Sequence, residues 1–172
     1  MANDMGFKKT SELIAVSFSV TETGPGVYTQ DEISLQLDVL NNEIAVVLAI
    51  DLDLSSPDAI AATNTSLTGV VTSTSQANLT SLSNTNTLAN ASKAVRAAGF
   101  VDGGVSFSRT SSTTPTGDLD YIGLIATNNF FIGVKGENNA GSKTMAGRLW
   151  MYRARADSST YAALVQSEVL SA

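Results

Sequence analysis

Glu43-Ile-Ala-Val-Val-Leu-Ala-Ile-Asp-Leu-Asp-Leu54 is the stretch whose reading decides the fold. Period-two alternation puts Ile44, Val46, Leu48, Ile50, Leu52 and Leu54 on one side and Ala45, Val47, Ala49, Asp51 and Asp53 on the other. Side chains alternate faces along a strand, so this is β structure. Its first half is apolar on both sides, which suits a central strand covered on both faces.

The same period recurs on either side of this stretch. From Leu13, the residues Ile14, Val16, Phe18 and Val20 alternate with Ala15, Ser17 and Ser19, and Thr23-Gly-Pro-Gly26 supplies a turn. Ile33, Leu35, Leu37 and Val39 predict a second strand ending at Asn41-Asn42. Strands are also expected over Leu67–Ser75, Gly104–Arg109 and Met145–Arg155, with a hairpin of Leu119–Ala126 and Phe130–Lys135 about Thr127-Asn128-Asn129. Residues 63–92 form a Ser/Thr/Asn-rich excursion, read as one strand and an exposed loop because Thr favours strands and the tract lacks the charge and Pro of disorder.

Helical signals are few. Ser56-Pro57-Asp58 predicts a short helix with Ser56 as N-cap, and the Ala-rich run Asn90–Ala98 predicts another ended by Gly99. Beyond Asp157 and Ser158, either of which can cap, Tyr161, Leu164, Val165, Glu168 and Val169 fall at helical spacing, so a C-terminal helix is expected over 157–172. With 1–12 as an N-terminal arm, the sum is an all-β fold in a single domain over 1–172. It is a jelly-roll-type two-sheet β-sandwich of about eight strands with a C-terminal α-helix.

Composition restricts the function. With no His and no Cys in 172 residues, Ser-His-Asp and Cys-His catalysis, disulfides and thiolate metal sites are all excluded. A non-enzymatic protein without a cofactor is the expectation. Charged residues make up only 15% of the chain, which suits faces that end up against neighbours. The net charge of −6 argues against specific nucleic-acid binding, as only Lys8 and Lys9 lie near the N-terminus. That N-terminus fails as a secretion signal because Glu12 opens its apolar stretch and Ser interrupts it. No window reaches the ~18 apolar residues of a membrane span.

Two Asp-Leu-Asp triplets, Asp51/Asp53 and Asp118/Asp120, place paired carboxylates on one face of a strand, a weak Ca²⁺ or acid/base arrangement that strand ends explain as well. Asn64-Thr-Ser66, Asn78-Leu-Thr80 and Asn90-Ala-Ser92 match the glycosylation pattern, as chance allows in so Asn-rich a tract. Arg148, Arg153 and Arg155 flank Trp150 and Tyr152 on the last strand. Such residues serve single-stranded nucleic acid or a subunit contact, and in an acidic chain the contact is favoured over nucleic acid, with a plain core role for Trp150 equally open. With Leu164 on the terminal helix, they are the expected interface.

The run Ser34–Leu54 (SLQLDVLNNEIAVVLAIDLDL), the Ser/Thr/Asn insertion, the late strands Tyr121–Val134 and the closing GRLWMYRARADSSTYAALVQSEVL of Gly147–Leu170 together resemble the single jelly-roll capsid proteins of tailless icosahedral viruses. The resemblance implies a structural coat protein that self-assembles, alone or with a second coat protein, into a virion shell built in the host cytoplasm. The missing basic arm departs from the RNA-packaging members of that group. The rival expectations are a surface-layer or pilus subunit, which should carry an export signal, a carbohydrate-binding sandwich, which usually shows more aromatics than this chain's 6%, and an enzyme using carboxylates alone, which would need a convergent acid/base set.

Overall fold

The computed structural model describes residues 6–99, 101, 105–110 and 120–171. Among them are ten strands, β1 (Phe7–Lys9), β2 (Ile14–Thr21), β3 (Thr29–Ser34), β4 (Glu43–Leu54), β5 (Thr65–Thr72), β6 (Thr87–Arg96), β7 (Val105–Thr110), β8 (Gly123–Ile125), β9 (Asn129–Glu137) and β10 (Thr144–Ala156), followed by helix α1 (Ser158–Leu170). One antiparallel sheet has β10 beside β4 and then β8, while β2 and the short β1 share the other edge of β10. The second runs β3-β9-β5-β6-β7.

Leaving out β1 and β7, the pairs are nested: β2 with β10, β3 with β9, β4 with β8 and β5 with β6. Of these eight strands only β5 and β6 are consecutive and paired within one sheet, and the other connections among them cross between sheets. This is the jelly-roll connectivity. The connections β2–β3, β4–β5 and β9–β10 gather at one end of the sandwich, and β3–β4, β5–β6 and β8–β9 at the other.

The inward faces meet in one core containing Phe18, Val20, Val47, Ile50, Leu67, Val71, Phe130, Ile132, Met145, Leu149 and Met151. Phe18 and Phe130 pack edge to face at 5.8 Å between centroids. A second cluster lies on the outer face of the β4–β10 sheet, where Ile44, Val46, Ala154 and Ala156 receive Tyr161, Leu164 and Val165 of α1. The helix starts at Asp157, whose side chain accepts the Thr160 N–H at 2.7 Å.

Several details depart from the sequence reading. Strand β4 is covered on both faces at its start, but its parity is not constant. Trp150 pairs with Ala49 and Met151 with Val47, leaving Leu48 as the extra residue of a β-bulge. Before the bulge Ala45 and Val47 face the other sheet, and after it Ile50 and Leu54 do. Residues 90–96 are strand, not helix: Ala89, Ala91 and Val95 are buried at period two, and pairing with β5 and β7 overrides the helix preference of Ala. Gly99, at φ +88°, belongs to a turn. No helix forms at Ser56–Pro57.

Strand β3 stops at Ser34 because Gln36 adopts φ +53°, although Leu35 and Leu37 remain buried. The stretch Val39–Asn41 is a turn of 3-10 helix. Strands β8 and β9 belong to different sheets, so the segments about Thr127-Asn128-Asn129 do not form a hairpin. The excursion over 63–92 supplies β5 and half of β6, both inside the second sheet. Residues 111–119, between the strand expected over Gly104–Arg109 and the hairpin that follows it, lie outside the described residues. Among those described, no helix is long and apolar enough to cross a membrane.

Candidate functional site

The outer face of the β2–β10–β4 sheet is divided. Helix α1 covers the part nearest the β3–β4 and β8–β9 connections, and the remainder is open. The division follows from the sequence: Ile44 and Val46 supply apolar surface for the helix, whereas beyond the Leu48 bulge the same side of β4 presents the exposed Asp51 and Asp53.

On this open half, three strands bring polar groups to one place. Arg148 lies in register with Ser17 of β2 and Asp51 of β4, and its Nε donates to Ser17 Oγ at 3.1 Å. The guanidinium carbon is 5.9 Å from the centroid of the Trp150 ring. Trp150 itself is flanked in register by Ala15 and Ala49, which are too small to cover it, and is half-buried. A depression of about 410 Å³ opens here, lined by Ser17, Asp51, Asp53, Ala146, Arg148 and Trp150 among others. Gly147, on the core-facing side of β10 with Met145 and Leu149, has no room for a side chain: a Cβ there would meet Asp51 O and two Phe18 ring carbons at 2.6 Å.

The other residues expected at an interface are placed differently. Arg153 is engaged within its own chain, with Nη1 3.6 Å from Glu43 Oε1 and Nη2 donating to Leu35 O at 3.3 Å, while its buried Nε has no partner among the described residues. Tyr152 lies beneath Lys9, whose Nζ is 5.2 Å from the ring, and burial raises the phenol above its ordinary value with Asp120 and Tyr121 adding to the shift. Leu164 packs on the sheet. Arg155 is exposed beside Lys8, Thr10 and Asp157. Asp118 lies outside the described residues, Asp120 is exposed, and no group of three or more potential metal ligands occurs among those described.

Two polar clusters had no sequence signature. At the end formed by the β2–β3, β4–β5 and β9–β10 connections, the buried Glu22 accepts the N–H groups of Gly26, Gly136 and Lys143 at 2.9–3.0 Å. Beside it Lys143 Nζ meets Asp58 Oδ1 at 2.6 Å, and Ala140 N–H donates to Asp58 Oδ2. The Lys143 hydrogen bond, with the Ala140 N–H, holds the Asp58 carboxyl below the usual range. At the opposite end Glu168 of α1 is buried and accepts from Ala126 N at 2.9 Å and Thr127 N at 3.2 Å. Burial raises its carboxyl above the ordinary value despite these bonds.

These features define a jelly-roll β-sandwich with a helix on half of one outer face and an open polar depression on the other half. Comparison with known proteins gives no matching family model, no matching curated protein and no matching solved structure.

Proposed function

We propose that the chain is a non-catalytic coat subunit, a jelly-roll capsid protein that assembles with copies of itself, and in a mixed shell with a second coat protein, into an icosahedral virion shell in the host cytoplasm. Jelly-roll sandwiches are an architecture of viral capsids, but lectins and cupins share it, so connectivity alone does not carry the reading. The observation that carries it is where apolar surface is left uncovered. Ten large apolar side chains are exposed among the described residues, and five of them, Leu40 (91% exposed), Val39, Leu82, Val169 and Leu170 (75% exposed), lie on the β3–β4 and β5–β6 connections and the end of α1; Leu13, Val27, Val101, Val105 and Phe107 lie elsewhere.

Hydrogen bonds draw these segments to one end of the sandwich. Asn128 Oδ1 accepts from Leu37 N, Glu168 accepts from Ala126 N and Thr127 N, and Asn86 Nδ2 donates to Glu168 O at 3.5 Å. Exposed apolar side chains gathered in this way, on a surface with little charge, favour burial against another subunit. A coat contact of ordinary size buries roughly 1,200–2,000 Å² about a few apolar anchors. The test is the double variant Leu40→Asp/Leu170→Asp. It should stay folded and lose assembly in light scattering, whereas unchanged assembly would remove this end from the contact.

A further inference from the structure

The depression on the outer face of β2, β10 and β4 holds hydrogen-bonding groups that the chain does not use. Asp51 faces Arg148 in register, yet no ion pair joins them, and among the described residues Arg148 donates to Ser17 alone. Neither Asp51 nor Asp53 makes a side-chain hydrogen bond or ion pair among the described residues, and both are exposed. Beside them stands Trp150, the single Trp of the chain, flanked by Ala15 and Ala49. At about 410 Å³ the depression falls within the range of small-molecule sites.

We propose that this depression binds a neutral, hydroxyl-rich saccharide, with the C–H face of one sugar ring against Trp150 and its hydroxyls shared among Asp51, Asp53, Arg148 and Ser17. The assignment follows from the chemistry of the groups. An indole face is negative and apolar and attracts the weakly positive C–H side of a pyranose. A sugar hydroxyl both donates and accepts, so it satisfies acceptor-only carboxylates and a donor-only guanidinium in one site. Bonds to these charged groups are the stronger kind.

Other ligands fit less well. An anion would meet two carboxylates against one guanidinium, which disfavours phosphate and nucleic acid. Ca²⁺ takes six to eight oxygens, and this site offers two carboxylates and one hydroxyl beside a positive charge.

The experiment uses the intact chain and a panel of soluble neutral oligosaccharides: cellohexaose, maltohexaose, xylohexaose, mannohexaose and chitohexaose. Because Trp150 is the only Trp, its emission reports on this site directly. At least one sugar should produce a saturable change at constant particle mass. By calorimetry, Trp150→Ala should abolish binding of that sugar, and Asp51→Asn or Asp53→Asn should weaken it about tenfold, with melting temperatures near that of the parent. Three outcomes would overturn the proposal: no saturable change with any sugar up to about 10 mM, binding that survives all three substitutions, or an emission change that follows protein concentration alone. The last would make the face a seat for a second copy.

Discussion

Glu22→Ala removes a buried carboxylate on which three segments converge. The side chain accepts from Gly26 N at 3.0 Å in the β2–β3 connection, from Gly136 N at 2.9 Å in β9, and from Lys143 N at 2.9 Å beside β10. Only the Gly136 bond is fully buried; the other two are partly accessible and can be rehydrated. A hydrogen bond to a charged group contributes about 1.5–3 kcal/mol, and an orphaned buried donor costs about 1–3 kcal/mol. One full penalty and two partial ones give about 3–5 kcal/mol, a large part of the ~5–15 kcal/mol that holds a domain together.

Urea unfolding followed by Trp150 emission measures this loss. With a slope of about 2 kcal/mol per molar, the midpoint should fall by roughly 2 M at unchanged slope. Glu22→Gln keeps the shape but replaces one acceptor oxygen by a donor, so it should fall between the two. A Glu22→Ala midpoint within about 0.3 M of the parent would show that the carboxylate is dispensable, because the three N–H groups would then be satisfied without it.

Further expectations concern the same balance of burial and bonding. The Glu168 carboxyl is raised above its ordinary value by burial, so the folded chain holds this proton more tightly than the unfolded chain. Its contribution is therefore full below the ordinary Glu range and is lost as pH rises through the folded value; Glu168→Gln should flatten the melting-temperature profile across that window. Gly147→Ala drives a Cβ to within 2.6 Å of Asp51 O and the Phe18 ring, and since backbone cannot yield cheaply, thermal denaturation should show a loss of about 1–3 kcal/mol. Leu164→Asp places a charge among Ile44, Val46 and Ala154 and should cost about 2–4 kcal/mol in chemical denaturation, with a neutral result excluding a docked helix.

Much of the sandwich was legible in the sequence because its signals are local. Strands β2, β4 and β10 announce themselves by alternation, and α1 by the change of period after Asp157. Strand β6 was hidden because alanines at period two also read as helix, and only pairing with β5 and β7 decides between them. The Leu48 bulge was hidden because Val46, Val47 and Leu48 are apolar at both parities, so nothing in the pattern marks the slip. The open depression was half legible. Arg148 and Trp150 stood out together and Asp51 and Asp53 stood out separately, but their meeting depends on the register of β4 against β10. Glu22 gave no signal, since its partners Gly136 and Lys143 lie 114 and 121 residues away.

A coat subunit must assemble with copies of itself. Multi-angle light scattering of the intact protein across a series of concentration and salt, with negative-stain microscopy of the largest species, decides whether this one does. Particle mass should rise with concentration in the absence of DNA or RNA, ending in closed shells or their capsomers. A strict monomer under every condition, or a mass increase that appears only when nucleic acid is added, would contradict it.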